Sequence, residues 1–142
     1  MSSTTTTTTS LEPLYCVDTH ALIWYLLNDK KLSVRAKAVF EAAENNQTLL
    51  VMSAIVLAEL YYANVKNKWF ADYGKLHADL ISRPYMRFVP VDHLHIAEFA
   101  QDEIIPEMHD RIIAGVARRL RAPLITFDPL IISSAIVTTI VW

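Results

Sequence analysis

Short apolar runs alternate with stretches of helical period along this chain. Leu14-Tyr15-Cys16-Val17 predicts a strand, and Thr19 to Leu27 predicts a helix, followed by a loop at Asn28, Asp29, Lys30 and Lys31. Ser33 reads as the N-cap of a second helix, in which Val34, Ala38 and Ala42 recur at i, i+4 spacing. A strand over Gln47 to Met52 leads to Ser53, which caps a helix from Ala54 to about Lys66 with Ile55, Val56, Leu60 and Ala63 inward. Trp69 to Ile81 predicts another helix, carrying Trp69, Tyr73, Leu76 and Leu80 on one stripe, and Pro84 blocks its continuation. Arg87-Phe88-Val89 is a short strand. Pro90 and Asp92 lead into a helix through about Gln101.

Pro106 and Glu107 open a helix that holds Asp110 and runs to Leu120. Pro123 precedes the strand Leu124-Ile125-Thr126-Phe127, and Ile136 to Val141 makes the last strand. Strands alternating with helices predict the α/β class, a parallel sheet with helices on both faces.

Composition agrees with this pattern. A chain of 142 residues is long enough for one domain with a real core and too short for two ordinary ones. Its 53% hydrophobic content and mean hydropathy of +0.25 are high, as suits strands buried on both faces. No apolar run approaches the ~20 residues of a membrane span. Residues 1–11 form a Thr/Ser-rich tail that has neither the basic start nor the apolar middle of a secretory signal. That tail is expected to be disordered, leaving 12–142 as the domain. The single Cys16 cannot form an internal disulfide, so a cytoplasmic location is the default expectation. A net charge of −2 argues against a bulk electrostatic binder of nucleic acid, but local cations or acid-held metals can still handle phosphates.

The candidate chemistry lies in four acids written into apolar surroundings. Asp18 follows the first strand, Asp128 follows the strand ending at Phe127, Glu59 lies inside an apolar helix, and Asp110 opens a largely apolar one. An unpartnered buried carboxylate is costly. Asp18 and Asp128 fall at the carboxyl ends of strands, where open parallel sheets place their sites, although either also suits the N-cap of the next helix. Glu59 has Ile55, Val56, Tyr62 and Ala63 at helical neighbour positions, so no local ion pair is available and any partner must come from elsewhere in the fold. Asp110 is favoured by the helix dipole, by about 0.3–1 kcal/mol. Together the four can converge at one sheet edge, and all-oxygen ligation suits Mg2+ or Mn2+.

Other chemistries lack their residues. Only Gly74 and Gly115 occur, neither in a strand-to-helix turn, so phosphate-cradling glycine loops are absent. His93 and His95 point to different faces of a helix and Cys16 stands alone, which gives zinc no ligand set. No serine sits in a nucleophile elbow.

Three segments resemble the PIN domain, most closely the VapC-type toxin ribonucleases of toxin–antitoxin pairs. Tyr15-Cys16-Val17-Asp18-Thr19-His20-Ala21-Leu22-Ile23-Trp24 resembles the opening strand and D-T-H-x-L-x-W turn of that family. Met108-His109-Asp110-Arg111-Ile112-Ile113-Ala114 resembles its D-R-I-I-A helix, and Ala122-Pro123-Leu124-Ile125-Thr126-Phe127-Asp128 its A-P-L-x-T-x-D strand end. Glu59, in Ser53-Ala54-Ile55-Val56-Leu57-Ala58-Glu59-Leu60, matches the helical Glu of the family. The likeness runs from about Leu14 to Trp142.

The resemblance implies a three-layer fold around a five-stranded parallel sheet, with the first and fourth strands adjacent at its centre. It implies Mg2+- or Mn2+-dependent endoribonuclease activity, with Asp18, Glu59, Asp110 and Asp128 as catalytic and metal-holding residues. Thr126 fits the T-x-D pattern, while Thr19 or His20 shape the turn. Relatives of this kind commonly form homodimers and are silenced by an antitoxin protein that covers the acidic groove.

Basic and aromatic residues add expectations. Arg118, Arg119 and Arg121 read as a solvated, dipole-favoured helix end. Arg111 points about 100° away from Asp110 around the helix and is not assigned to the chemistry. Lys30, Lys31, Lys66 and Lys68 are candidates to flank the groove and meet phosphates. A helix cannot bury both Tyr61 and Tyr62, so an exposed aromatic patch near Trp69 and Phe70 could serve self-association or an antitoxin helix. An aspartyl-nucleophile phosphatase wants D-x-D where Asp18-Thr19-His20 stands. A receiver domain needs paired early acids and a late Lys that are missing. A PIN-like RNA-binding or scaffold protein with lapsed catalysis is the alternative that keeps the fold.

Overall fold

In the computed structural model, which describes residues 13–137 and 140–142, five parallel strands form one sheet in the order β3-β2-β1-β4-β5. The strands are β1 (Leu14–Val17), β2 (Leu49–Ser53), β3 (Met86–Val89), β4 (Leu124–Ile125) and β5 (Ile140–Val141). β1 lies at the centre, with Cys16 in register with both Val51 of β2 and Leu124 of β4. Successive residues of β1 and β2 are buried together, Cys16 with Val17 and Leu50 with Val51 and Met52. Side chains alternate across a strand, so burial of neighbours means that both faces are covered. The helices that cover them are α1 (Thr19–Leu27), α2 (Val34–Glu44), α3 (Ala54–Asn67), α4 (Tyr73–Ser82), α5 (His93–Ile96), α6 (Met108–Leu120) and α7 (Pro129–Ser134). Phe40, Leu22, Leu60, Ile105 and Ile131 fill the core beside the strand residues.

The chain winds outward from β1 to β2 and β3, then returns to β4 on the other side of β1. That reversal creates a crevice beyond the carboxyl ends of β1 and β4, the place where open sheets of this kind carry sites. The N–H of Asp18 donates to the carbonyl of Ile125 at 3.2 Å, which ties the two strand ends together at the crevice.

Several element boundaries differ from the sequence pattern. The helix predicted from Trp69 begins only at Tyr73. Lys68 ends α3 in the left-handed region (φ 58°), and the Asn64 side chain takes both backbone groups of Phe70, donating to its carbonyl at 3.0 Å and accepting from its N–H at 2.8 Å. Asp72 then caps α4. The second strand is displaced to Leu49–Ser53 because the turn after α2 extends through Asn46 (φ 59°). β4 stops at Ile125 rather than Phe127. The Thr126 hydroxyl accepts from Asp128 N–H at 3.0 Å and turns the chain out of the ladder.

The helix predicted from Asp92 to Gln101 is divided into α5 and a 3-10 turn at Phe99–Asp102. The turn delivers Asp102, 2% exposed, to Arg118 on α6. Gly115 makes that approach possible, since a Cβ there would lie 3.3 Å from the Asp102 carboxylate. α7 falls where the pattern predicts no element, although Asp128 as N-cap and Pro129 at the first helical position are its ordinary start signals. The last strand is described as Ile140–Val141; part of its predicted range, like the Thr/Ser-rich tail over 1–11, lies outside the described residues.

Candidate metal centre

Asp18 reaches the crevice as the N-cap of α1. Its carboxylate accepts the Ala21 N–H at 2.9 Å and is only 6% exposed. The capping role foreseen for this residue is met, and the cap holds the carboxylate at the crevice. Burial holds its carboxyl above the ordinary range, opposed by hydrogen bonding to Thr126 and Ala21. Asp128, the N-cap of α7, accepts the N–H groups of Leu130 and Ile131 and sits across the crevice from Asp18.

Asp110 stands in the first turn of α6. Its carboxyl is pushed up to about 6, first by desolvation and then by the charges of Asp128, Glu107, Glu59 and Asp18. Asp110 thus lies within electrostatic reach of the other three sequence-predicted acids. Among the described residues no lysine or arginine forms an ion pair with any of them.

Glu59, half-buried on α3, has its partners on other elements, as its helical neighbours required. One oxygen accepts from the Thr19 hydroxyl, and the other lies 2.9 Å from Nδ1 of His109. His109 and Glu107 are the residues that sequence reasoning missed. Donor atoms of Glu59, Glu107 and His109 lie within 4.8 Å of one another, the tightest ligand-type convergence among the described residues. Asp18, Asp110 and Asp128 do not belong to that tightest group. Glu107 is fixed by capping α6, its carboxylate accepting the His109 N–H at 2.6 Å. The available signal for His109 was the unpaired state of Glu59 in its own helix.

The donor chemistry fits a hard divalent cation. Carboxylates at the ends of β1 and β4 and on α3 and α6 lie near enough for their charges to add to desolvation in raising the Asp110 carboxyl. The single imidazole adds a nitrogen that Mn2+ accepts more readily than Mg2+.

The neighbouring arginines serve the fold. Arg111 turns from Asp110, donating from Nε to the Ile105 carbonyl at 2.7 Å and stacking 5.8 Å over the Phe99 ring. Arg118 is not a solvated helix end: its guanidinium binds Asp102 at 2.6 Å and Glu98 at 2.8 Å. Lys31 lies 6.0 Å over the Trp24 ring. Lys66 stands seven residues beyond Glu59, ~10 Å along α3. Tyr61 and Tyr62 are both exposed, Tyr62 the more so at 71% against 44%.

Comparisons with known proteins agree with the fold. VapBC2 from Rickettsia felis, solved bound to a DNA fragment from its promoter, superposes with a TM-score of 0.66 at 19% identity, covering 89% of this chain and 96% of that one. FitAcB from Neisseria gonorrhoeae gives 0.59 at 23% identity, covering 89% and 95%. FitAB bound to the IR36 DNA fragment gives 0.58 at 21%, covering 89% and 92%. A search of curated protein sequences finds no match. The family model for the PIN domain matches residues 15–133, which include all four acids, and the chain therefore belongs to the PIN domain family.

Proposed function

We propose that this protein is a Mg2+- or Mn2+-dependent endoribonuclease that hydrolyses RNA phosphodiester bonds as the toxin of a toxin–antitoxin pair. PIN domains are nucleases, and the single observation that carries the reading is the clustering of four acids around the sheet's switch point with, among the described residues, no lysine or arginine paired to them. When bound, a divalent cation would neutralise the scissile phosphate and lower the pKa of a bound water. Asp18, Glu59, Asp110 and Asp128 would hold it. Asp18 is the most buried of them and is held by the Ala21 cap. His109 and Thr19 orient Glu59, and Glu107 fixes the backbone that presents His109. Thr126 holds Asp128 by its backbone N–H.

An antitoxin is the proposed regulator. A groove between α1 and α3 is lined by Ile23, Ile55, Ala58, Tyr62 and Ala63 and ends at Glu59 and His109. An amphipathic segment laid in it would cover the acids directly. The structural relatives in complexes named VapBC and FitAB support such a partner, and exposed Tyr61, Tyr62 and Val65 offer a surface for the proposed homodimer.

The test is cleavage of labelled RNA by the purified protein with Mn2+, with EDTA, and with Asp110→Asn in place of the native chain. Cleavage in Mn2+ alone by the native chain supports the reading, and activity that survives both EDTA and the substitution contradicts it. RNA binding without cleavage under any metal would favour the scaffold alternative.

A further inference from the structure

Beside the acids lies a cluster of aromatic rings that the cation site does not use. Phe127 directly precedes Asp128 and is 46% exposed. Its ring stacks on Trp142 at 5.3 Å with an interplanar angle of 24°, and contacts Trp24 at 4.8 Å. Trp24 and Trp142 are 5.6 Å apart, so the three rings are mutually packed, with Trp24 nearly buried beneath. Trp24 belongs to α1, the helix that Asp18 caps, and Phe127 belongs to the loop that delivers Asp128. Two of the three rings of the patch therefore stand on segments that carry acids of the crevice.

Its rim carries positive or protonatable groups. The Lys31 ammonium lies over the Trp24 ring, and exposed His20 approaches the same ring at 5.9 Å. A core cluster has no need to expose its outermost ring beside a polar crevice. Exposed rings next to cations are what single-stranded nucleic acid uses, since each base offers a π-face and each phosphate a charge.

We propose that Phe127, backed by Trp142 and Trp24, is a stacking platform for one unpaired base of the RNA next to the phosphate held at the acids. This inference rests on the nuclease reading and adds a base-binding subsite of this chain's own, an aromatic face for one base turned out of its stack beside the acids. Lys31 and His20 take the adjoining phosphate. The platform recognises a π-face and so favours purines by stacking strength more than by hydrogen-bond pattern.

The experiment uses full-length Asp110→Asn protein, which leaves RNA whole, and a decamer of uridine carrying one central 2-aminopurine. Phe127→Leu keeps an apolar side chain against Trp24 and Trp142 but removes the π-face, and Phe127→Tyr restores it. On binding, 2-aminopurine emission is expected to be quenched. Phe127→Leu is expected to lose that quench and to weaken binding by about 5- to 150-fold, the range for one stacked base, with Phe127→Tyr restoring both. A decamer with a central abasic unit should bind the parent as weakly as the full decamer binds Phe127→Leu.

The inference is overturned by equal affinity and quench in Phe127→Leu, by an abasic decamer bound as tightly as the full one, or by a parent that does not bind the decamer. A change confined to oligomeric state in Phe127→Leu also overturns it and assigns the patch to self-association. Failure of the nuclease reading is a separate result: native protein that leaves RNA intact in Mn2+, whatever Phe127 does.

Discussion

His109 Nδ1 stands 2.9 Å from Glu59 Oε2, joining α6 to α3 across the mouth of the crevice. With the Thr19 hydroxyl on the other oxygen, both ends of the Glu59 carboxylate are held by side chains from separate elements. The carboxylate is thereby held in one orientation, as a residue of the proposed cation site requires. Removing such an outer partner typically lowers metal affinity 10–100-fold. His109→Ala is therefore expected to weaken Mn2+ binding by ~10-fold or more without unfolding the protein, as read by electron paramagnetic resonance titration. Unchanged Mn2+ affinity would remove His109 from the site.

Asp110 sets a pH dependence. Its folded-state carboxyl lies near 6, above the ~3.9 of an unfolded Asp, so the folded protein without metal favours the protonated form. The associated stability is fully present below the unfolded value and is lost as pH rises through about 6. A cation competes with that proton. The rise in melting temperature on adding Mn2+ is expected to be large at pH 7.5 and to shrink as pH falls through about 6.

Asp110→Asn separates stability from function. Without metal at pH 7.5 the variant is expected to melt at or above the native temperature, because one of several repelling carboxylates is gone. It should also lose most of the Mn2+-induced rise. A metal-free variant clearly less stable than the native chain would mean that Asp110 has a favourable partner instead.

How much of this was legible in the sequence depended on how local the cause was. Asp18 and Asp128 announce themselves by following apolar runs, and their strands proved adjacent at the switch point. Glu59 was legible by what its helix lacked. His109 was not, because its role arises from the approach of α6 to α3, fifty positions apart in the chain. Trp69 keeps the helical stripe but not the helix, since the Asn64 bonds to Phe70 hold the loop open. The break after α5 likewise reflects a distant demand, the Asp102 pair with Arg118. The early end of β4 follows from the Thr126 turn, which the T-x-D pattern carries but strand propensity does not.

Arg118 illustrates a structural charge. Its Nε donates to Asp102 Oδ1 at 2.6 Å, and Asp102 is 2% exposed, so truncating the arginine strands a buried carboxylate. Arg118→Ala is expected to destabilise the fold by about 3 kcal/mol, the low end for a broken buried pair because Arg118 itself is 23% exposed. Urea denaturation measures this, and a change under about 1 kcal/mol would place the pair among ordinary surface bridges.

Cys16 offers a reporter of the central strand. It is 2% exposed and burial pushes its thiol up to about 12, so the folded protein should resist thiol reagents. Labelling then follows opening of β1, the strand that presents Asp18. Saturating Mn2+ is expected to slow it, and equal rates with and without Mn2+ would separate β1 from metal binding.

The location of the ion itself decides the central claim. Crystals grown with Mn2+ and measured at the manganese absorption edge should give anomalous density in the crevice, within about 2.0–2.3 Å of carboxylate oxygens of Asp18 and Asp110, with Glu59 and Asp128 in the same coordination sphere or one water away. Density confined to Glu59, Glu107 and His109, or no density at all at saturating Mn2+, would contradict the four-acid cation site.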